Sequence, residues 1–404
     1  MNKSQLLIIT SNSLLPVKDG ADLRIYNLIT NLPKIWDIDL ICVKPETEQS
    51  QKEILAAFRN VYFAEYFEGD QPRILKYSDK VKNLISPSKN LFPFDVAYST
   101  HLYNLIQQAI SIKSYEAILC FWTSTFGFYL SNLQDLNITC DVCDSTSLYA
   151  RSMRKTKKLF GKEWLSLYYA FLYNLRWENK YLTNCKKLIT ITERDKKWLS
   201  KTVPESKIRV VGNGVDLTYF TPDVALPGTT QGLVVFTGVM GYKPNHDAMI
   251  YCLREIWPLI KKKAPEAKFR IVGRHPKSEL IELAKSQKDA EVIGEVEDIR
   301  QAIKGANVYL CPIRIGAGMK NKILEALAMG IPVVTTSEGA GGIEFEHGKV
   351  GYIANSRESL AFYTAKLLDK NDEWERLSRA ARKLVVEKYN WKSQAEKLSN
   401  ILLE

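Results

Sequence analysis

Short apolar runs alternate with longer amphipathic stretches along this chain, and the alternation occurs twice over. In the first half, Leu6 to Thr10, Ile38 to Val43, Ala117 to Phe121, Ile138 to Val142 and Leu188 to Ile191 read as buried strands, with helical patterns such as Ala21 to Leu32 and Gln51 to Arg59 between them. In the second half the strands are Leu233 to Phe236, Phe269 to Val272, Glu291 to Ile293, Val308 to Cys311 and Val333 to Thr335. Helical patterns over Asn245 to Lys263, Ser278 to Ser286, Asp298 to Lys304 and Met319 to Met329 separate them. Strands apolar on both faces, joined by helix-length segments, pair in parallel through crossover helices. The sequence therefore predicts an α/β protein of two doubly wound parallel-sheet domains. A run rich in Pro, Gly and Thr, Thr221 to Gly232, signals the junction. Beyond about Ser356 the pattern is helical, with a break at Asn390-Trp391 before a last amphipathic helix. The domains read as residues 1–210, 211–388 and a terminal helix over 389–404. Between Phe67 and Asp95, where Pro72, Pro87 and Pro93 interrupt the pattern, a helix with long loops is expected.

At 404 residues, 46% hydrophobic and 25% charged, the chain has ordinary globular composition. No apolar run approaches the roughly 18 to 20 residues that span a bilayer. Leu6 to Thr10 is too short for a signal-peptide core, so a cytoplasmic protein is expected. The seven cysteines are odd in number and scattered, and the lone Cys140-x-x-Cys143 sits in a strand-like apolar run, which favours reduced buried thiols over a zinc or redox centre. His101, His246, His275 and His347 are far apart, so no metal site is expected.

The net charge of +11 is regional. Residues 151–210 hold 16 Lys and Arg against 5 Asp and Glu, which accounts for the whole excess. Trp164, Tyr168, Tyr169, Phe171, Tyr173, Trp177 and Tyr181 are interleaved with these cations at helical spacing. One reading is a core-facing helix with a cationic outer side; the other is a surface for an anionic membrane, at the inner face of which the protein would associate. No nucleic-acid-binding module is present.

The stretch Cys311 to Thr336 carries the chemistry. It runs from a strand through Gly316 and Gly318 into a helix opening at about Met319, then returns through Gly330-Ile331-Pro332 to a second strand. Bare amides at such a helix start face the positive end of the helix dipole, and Lys320 and Lys322 add charge beside it, so the turn suits a diphosphate.

These residues also carry a resemblance. Arg314-x-Gly-x-Gly-x-Lys-x-Lys-x-x-Glu325-Ala, followed by Ala-x-Gly-x-Pro-Val-Val, resembles the donor-binding signature of the family 4 glycosyltransferases of GT-B architecture. Gly212-Asn-Gly-Val-Asp216 with Phe220 resembles the family's interdomain motif, Phe236-Thr-Gly-Val-Met-Gly-Tyr-Lys-Pro-Asn245 its first donor-domain strand and lysine loop, and Lys18-Asp-Gly-Ala-Asp-Leu-Arg24 the glycine loop of its acceptor domain. The resemblance implies two Rossmann-like domains facing across a cleft. Residues 1–210 would bind the acceptor, 211–388 the donor, and the last helix would cross back to the first domain.

By the same resemblance, Lys243 and one of Lys320 or Lys322 supply cations to the donor phosphates, and Gly238, Gly273, Gly316, Gly318 and Asn321 line the nucleotide. Glu325 would accept hydrogen bonds from the ribose hydroxyls, with a buried Lys as the alternative partner. Arg314 would serve the phosphates or the sugar. Gly20 would touch the donor from the first domain, flanked by Asp19 and Arg24, or would form a simple helix start with Asp19 as N-cap. Asp144 and Glu193, at strand ends, are candidates for contact with the acceptor, and Asp144 for an N-cap before Ser145. His246 and His275 fall in loops near the nucleotide or are ordinary surface histidines.

The chain departs from the family at two places. Ala317 stands where many members carry a first glutamate, and Val239 where an arginine usually follows the glycine. The narrower pattern resembles sugar transferases of exopolysaccharide gene clusters. The activity implied is a retaining, metal-independent transfer of a hexose from a nucleotide-diphosphate sugar, with no cofactor, to a saccharide or lipid-linked acceptor. The alternatives are an epimerase or phosphorylase on the same fold, or a degenerate nucleotide-sugar-binding assembly protein.

Overall fold

The computed structural model describes residues 3–65, 99–133, 135–155, 157–222, 232–316, 318–369 and 371–404. The segment Phe67 to Asp95, nearly all of the junction Thr221 to Gly232, and Ala317 lie outside the described residues. The chain forms two compact units, Met1–Gly212 with Trp391–Glu404, and Asn213–Asn390.

The first unit is built on a 7-stranded sheet of β1 (Ser4–Ile9), β2 (Trp36–Val43), β3 (Asn60–Ala64), β4 (Ala117–Phe121), β5 (Ile138–Cys143), β6 (Lys187–Thr190) and β7 (Ile208–Val210), in the order β3-β2-β1-β4-β5-β6-β7. All neighbours are parallel, with Leu6 opposite Ile38 on one side and Ala117 on the other. Both faces of β1 are buried, because side chains alternate across a strand. Leu7 and Ile9 pack with Tyr173, Trp177 and Leu182, whereas Leu6 and Ile8 pack with Ile25, Trp391 and Leu398. The terminal helix Trp391–Leu403 thus covers the sheet face it shares with the helix Gly20–Thr30. Trp36 Nε1 donates to Ser399 Oγ at 2.7 Å and Lys187 Nζ to the Ile401 carbonyl at 2.8 Å, so polar groups as well as apolar ones fix it.

The second unit holds a 6-stranded sheet, β8 (Leu233–Thr237), β9 (Lys268–Val272), β10 (Ala290–Gly294), β11 (Val308–Cys311), β12 (Val333–Thr335) and β13 (Gly351–Ile353), ordered β10-β9-β8-β11-β12-β13 and parallel throughout. In each sheet the order reverses beside the first strand, between β1 and β4 and between β8 and β11. Helices on either side diverge at such a reversal, leaving the carboxyl ends of the strands open for a ligand.

Three strands escape the apolar pattern. β3 is half exposed, and β7 and β13 have only three residues each; all three lie at sheet edges, where one side needs no burial. The expected helix Asn245 to Lys263 is one continuous rod of three parts, Lys243–Tyr251, a wider π-helical turn Cys252–Ile256, and Trp257–Lys263. Pro258 lacks the N–H that a regular turn needs, and the wide turn before it takes up the mismatch. All seven cysteines are buried and none is disulfide-bonded. Among the described residues no helix is long and apolar enough to cross a membrane.

One ion pair ties the first unit together. Arg24, on the helix Gly20–Thr30, and Asp141, on β5, are both fully buried. Arg24 Nη2 and Nε donate to Asp141 Oδ2 at 2.8 and 3.1 Å, and Nη1 donates to the Gly212 carbonyl at 3.0 Å. The second carboxylate oxygen accepts from Cys143 N at 2.9 Å. Arg24 therefore does not flank Gly20 as a ligand group; it turns inward, because a guanidinium that places two donors on one buried carboxylate oxygen and a third on a carbonyl satisfies more donors there than in the loop. Removing one partner strands the other charge without water. Asp141→Ala is expected to destabilise the protein by roughly 3–5 kcal/mol, read as a lower urea midpoint; a midpoint equal to that of the parent would contradict this role.

Candidate functional site

The carboxyl ends of β8 and β11 meet around one ammonium. Lys322 is the second residue of the helix Asn321–Ala328, which follows the glycine loop after β11. Its stem crosses the ring of Phe236 on β8, with Nζ 4.4 Å from the ring centroid, and Nζ donates to Asn245 Oδ1 at 2.7 Å. Asn245 is held in turn by its Nδ2, which donates to the Val239 carbonyl at 2.9 Å. The ammonium lies directly against the backbone at Gly238. A Cβ there would fall 2.4 Å from Lys322 Nζ and 2.8 Å from Asn245 Nδ2, so only glycine leaves the cation its place. Gly273 serves the same corner from β9: a Cβ on it would sit 1.8 Å from the Gly238 carbonyl oxygen. This is the physical content of the two glycines that the resemblance assigns to the nucleotide.

Among the described residues, Lys322 Nζ makes no hydrogen bond besides that to Asn245, which leaves two of its three donors for an incoming acceptor. Burial pulls its pKa down to about 8, with Glu325 opposing the shift. Glu325 lies one helical turn on, half-buried, and its carboxylate has no hydrogen bond or ion pair among the described residues. Burial pushes its pKa up to about 7, opposed by Lys322. The two groups feel each other without forming a salt bridge. Lys322 Nζ turns to Asn245 and not to Glu325, so the buried Lys expected as an alternative partner does not satisfy the carboxylate. An unpaired carboxylate in such a place is costly unless something else brings donors to it.

Two helix starts open here. Neither Tyr242, before the helix Lys243–Tyr251, nor Lys320, before Asn321–Ala328, caps its helix with a side chain. By contrast Asp19, Thr47, Ser99, Ser145 and Thr192 each cap a helix of the first unit. Amides at a helix start without a side-chain cap form a cationic socket for an anion. The expected opening of the second helix at Met319 is corrected to Asn321. Gly318 has a φ of 66° and Lys320 is extended, so the loop runs two residues further before it turns helical.

The other expected residues are placed as follows. Lys320 Nζ donates to the Gly318 carbonyl at 3.0 Å and lies beside Gly316, so its charge sits within the loop. Lys243 is exposed at the first residue of its helix, two positions before Asn245. Arg314 is bonded to Asp247 at 2.9 Å and lies over the Tyr251 ring at 3.9 Å, which gives it a structural partner independent of any ligand. Asn321 Oδ1 accepts from Asn213 Nδ2 at 2.7 Å, so it anchors the start of the second unit to the loop. His246 pairs with Glu279 at 3.3 Å, and His275 is exposed with a φ of 58°.

In the first unit Gly20 is exposed at its helix start, where Asp19 accepts from the amides of Ala21 and Asp22 at 2.8 and 3.1 Å. Asp144 is not an N-cap: Ser145 takes that position, accepting from Leu148 N at 3.2 Å. Glu193 is exposed in the first turn of a helix capped by Thr192.

Asn245 had no role on sequence grounds. Its signal was local and weak, a polar residue just after a proline at a helix start, while its partner is 77 residues away.

Glu325 supplies a test. Its protonated form folds without penalty below about pH 4.5, and stability is lost as pH rises through about 7, where the buried carboxyl ionises. Glu325→Gln removes that penalty. The variant is expected to match the parent near pH 4.5 and to exceed it by roughly 2 kcal/mol at pH 8. Equal stability of the two proteins from acid to pH 8 would show that Glu325 is not held against ionisation.

Residues 231–370 match the family described as glycosyl transferases group 1. An uncharacterized 44.6 kDa protein in the cps region of Klebsiella pneumoniae is 23% identical over 380 residues, covering 89% of each chain. The putative colanic acid biosynthesis glycosyltransferase WcaL of Salmonella typhimurium is 26% identical over 215 residues, 49% of this chain and 52% of that protein, so this match spans about half of each. Among solved structures, Anabaena HepE in complex with UDP and glucose superposes with a TM-score of 0.67 at 12% identity, covering 98% of each chain. At that identity the likeness establishes a shared fold.

Proposed function

We propose that this chain, a glycosyltransferase of the GT-B fold, moves a hexosyl group from a nucleotide-diphosphate sugar to a saccharide or lipid-linked acceptor in polysaccharide assembly. The observation that carries this reading is the pair Lys322 and Glu325, a cation and a carboxylate on one helix turn, half-buried, not bonded to each other, at the reversal point of a parallel sheet. The cation suits a diphosphate, and the carboxylate suits a vicinal diol such as ribose.

Transfer breaks the bond from the anomeric carbon to the diphosphate oxygen and forms one from that carbon to the acceptor oxygen. Charge accumulates on the departing diphosphate as the sugar becomes oxocarbenium-like, so groups aimed at the phosphates lower the barrier most. Lys322, Lys320 and the amides opening the helix Asn321–Ala328 fill that role. With retention, the departing phosphate oxygen takes the acceptor's proton, and no protein base is required. Ala317 leaves the sugar itself to other contacts, and Val239 leaves the phosphates one cation short of the family pattern, a place that Lys320 would fill.

Lys322→Ala and Glu325→Ala are expected to lower transfer by about a hundredfold or more while cooperative melting is retained. Incubation of the parent with a panel of UDP-, GDP- and dTDP-sugars should reveal one that raises the melting temperature. Unchanged rates in both variants, or conversion of the donor to an epimer without any acceptor, would overturn the assignment.

Affinity for the nucleoside diphosphate should also be greatest between about pH 7 and 8, since Glu325 is protonated below that window and Lys322 loses its charge above it. Isothermal titration across pH 6 to 9 checks this, and a flat profile would contradict it.

A further inference from the structure

Part of the chain's positive excess has an address on its surface. The helix Lys162–Tyr181 is 20 residues long, but its buried residues begin only at Tyr173. The second half belongs to the core of the first unit. Residues 162–172 lie against the helix Thr146–Arg154 at the surface, and with the turn before them they expose apolar side chains. Phe160 is 72% exposed, Leu159 61%, Leu165 51% and Tyr168 38%.

The cations gather at the same place. Residues 151–172 contain six Lys and Arg and a single acid, Glu163, which is engaged by Lys157. Lys155, Lys158 and Lys162 are exposed. Arg154 lies over the rings of Trp164, Tyr168 and Phe171, at 5.0, 4.9 and 5.5 Å, and Phe160, Trp164 and Tyr168 follow one another at ring spacings of 5.3 and 5.2 Å. Arg154 thereby fixes the aromatic row without an acidic partner. Exposed aliphatic and aromatic side chains, flanked by lysines that have no acidic partner among the described residues, form one surface.

We propose that the exposed face of this half-helix and its preceding turn dock the protein on an anionic lipid surface. The argument is complementarity of both kinds. Lysines are drawn to the acidic head-group plane, while Leu159, Phe160 and Leu165 gain from entering the hydrocarbon boundary beneath it. A nucleic-acid backbone satisfies the cations but leaves the aliphatic groups in water. A second copy of this chain covers the apolar groups but brings like charge against like charge. A bilayer of acidic lipids offers both planes. The inference concerns attachment and stands apart from the reaction proposed above.

The full-length protein is to be sedimented with vesicles of phosphatidylcholine alone and with vesicles containing phosphatidylglycerol. Binding is expected only to the acidic vesicles and should fall as salt rises. The double variant Leu159→Ser/Phe160→Ser and the triple variant Lys155→Glu/Lys158→Glu/Lys162→Glu should each weaken it about tenfold or more. All five side chains are exposed, so both variants should melt with the parent. Lipids brominated near the head group should quench tryptophan emission in the parent, and Trp164→Phe should remove most of that quenching. No binding to acidic vesicles, equal binding to both kinds, or parent-like binding by both variants would overturn the proposal. So would an oligonucleotide bound tightly by the parent, and lost with the lysines, in the absence of vesicle binding.

Discussion

An ammonium drawn out of bulk water at the carboxyl end of a parallel sheet sets the terms on which the second unit is built. Its position demands a glycine on the neighbouring strand end, since any side chain at Gly238 would occupy the same volume. It demands a neutral oxygen to take one donor, which Asn245 supplies, and a ring face along its stem, which Phe236 supplies. Gly273 must then be bare as well, because the Gly238 carbonyl presses against it. Four positions on β8, β9 and the intervening helix start are thus decided by one charge on a helix that follows β11. The charge cannot be explained by the fold's own needs: a methionine of similar length would cross Phe236 without requiring any of them.

The sequence made much of this legible, because the constraints were of two local kinds. Fully buried strands such as Leu6 to Ile9 or Val308 to Cys311 announce themselves as apolar runs, since both sheet faces are covered. Glycines with Lys320, Lys322 and Glu325 at fixed offsets mark a loop opening a helix. What stayed hidden was set by contacts between distant positions. Arg24 reads as a loop cation until Asp141, 117 residues on, is found beside it. Asn245 reads as an incidental helix-start residue until Lys322 reaches it. Edge strands such as β13 are short and lack a distinctive pattern, because only one of their sides is paired. Ala317, one of the two departures from the family pattern, falls outside the described residues.

Arg314 illustrates how a motif can be right about place without fixing a role. Its position ahead of the glycine loop fits the family signature, yet its guanidinium is satisfied by Asp247 and the Tyr251 ring. Both partners lie on the helix that opens at Lys243, so the pairing fastens that helix to the loop after β11. Asn321 behaves similarly toward Asn213. Around the ammonium, then, side chains nominated as ligand groups divide into those that brace the loop and those that remain available to it.

The chain handles charge away from water in two contrasting ways, and the contrast separates structure from function. Arg24 and Asp141 are fully buried and matched, oxygen to nitrogen, with the remaining valences taken by Gly212 and Cys143. Such a pair holds elements together, and its members have little left to offer a ligand. Lys322 and Glu325 are mismatched by construction. They stand a turn apart on one helix, one bound to a neutral amide and the other without a hydrogen bond among the described residues, each pushed by burial toward its uncharged form. Left unrelieved by each other, the two groups suit a ligand that is anionic toward one and donates to the other. A nucleoside diphosphate, the ligand proposed above, has that polarity along its length, phosphates at one end and ribose hydroxyls at the other.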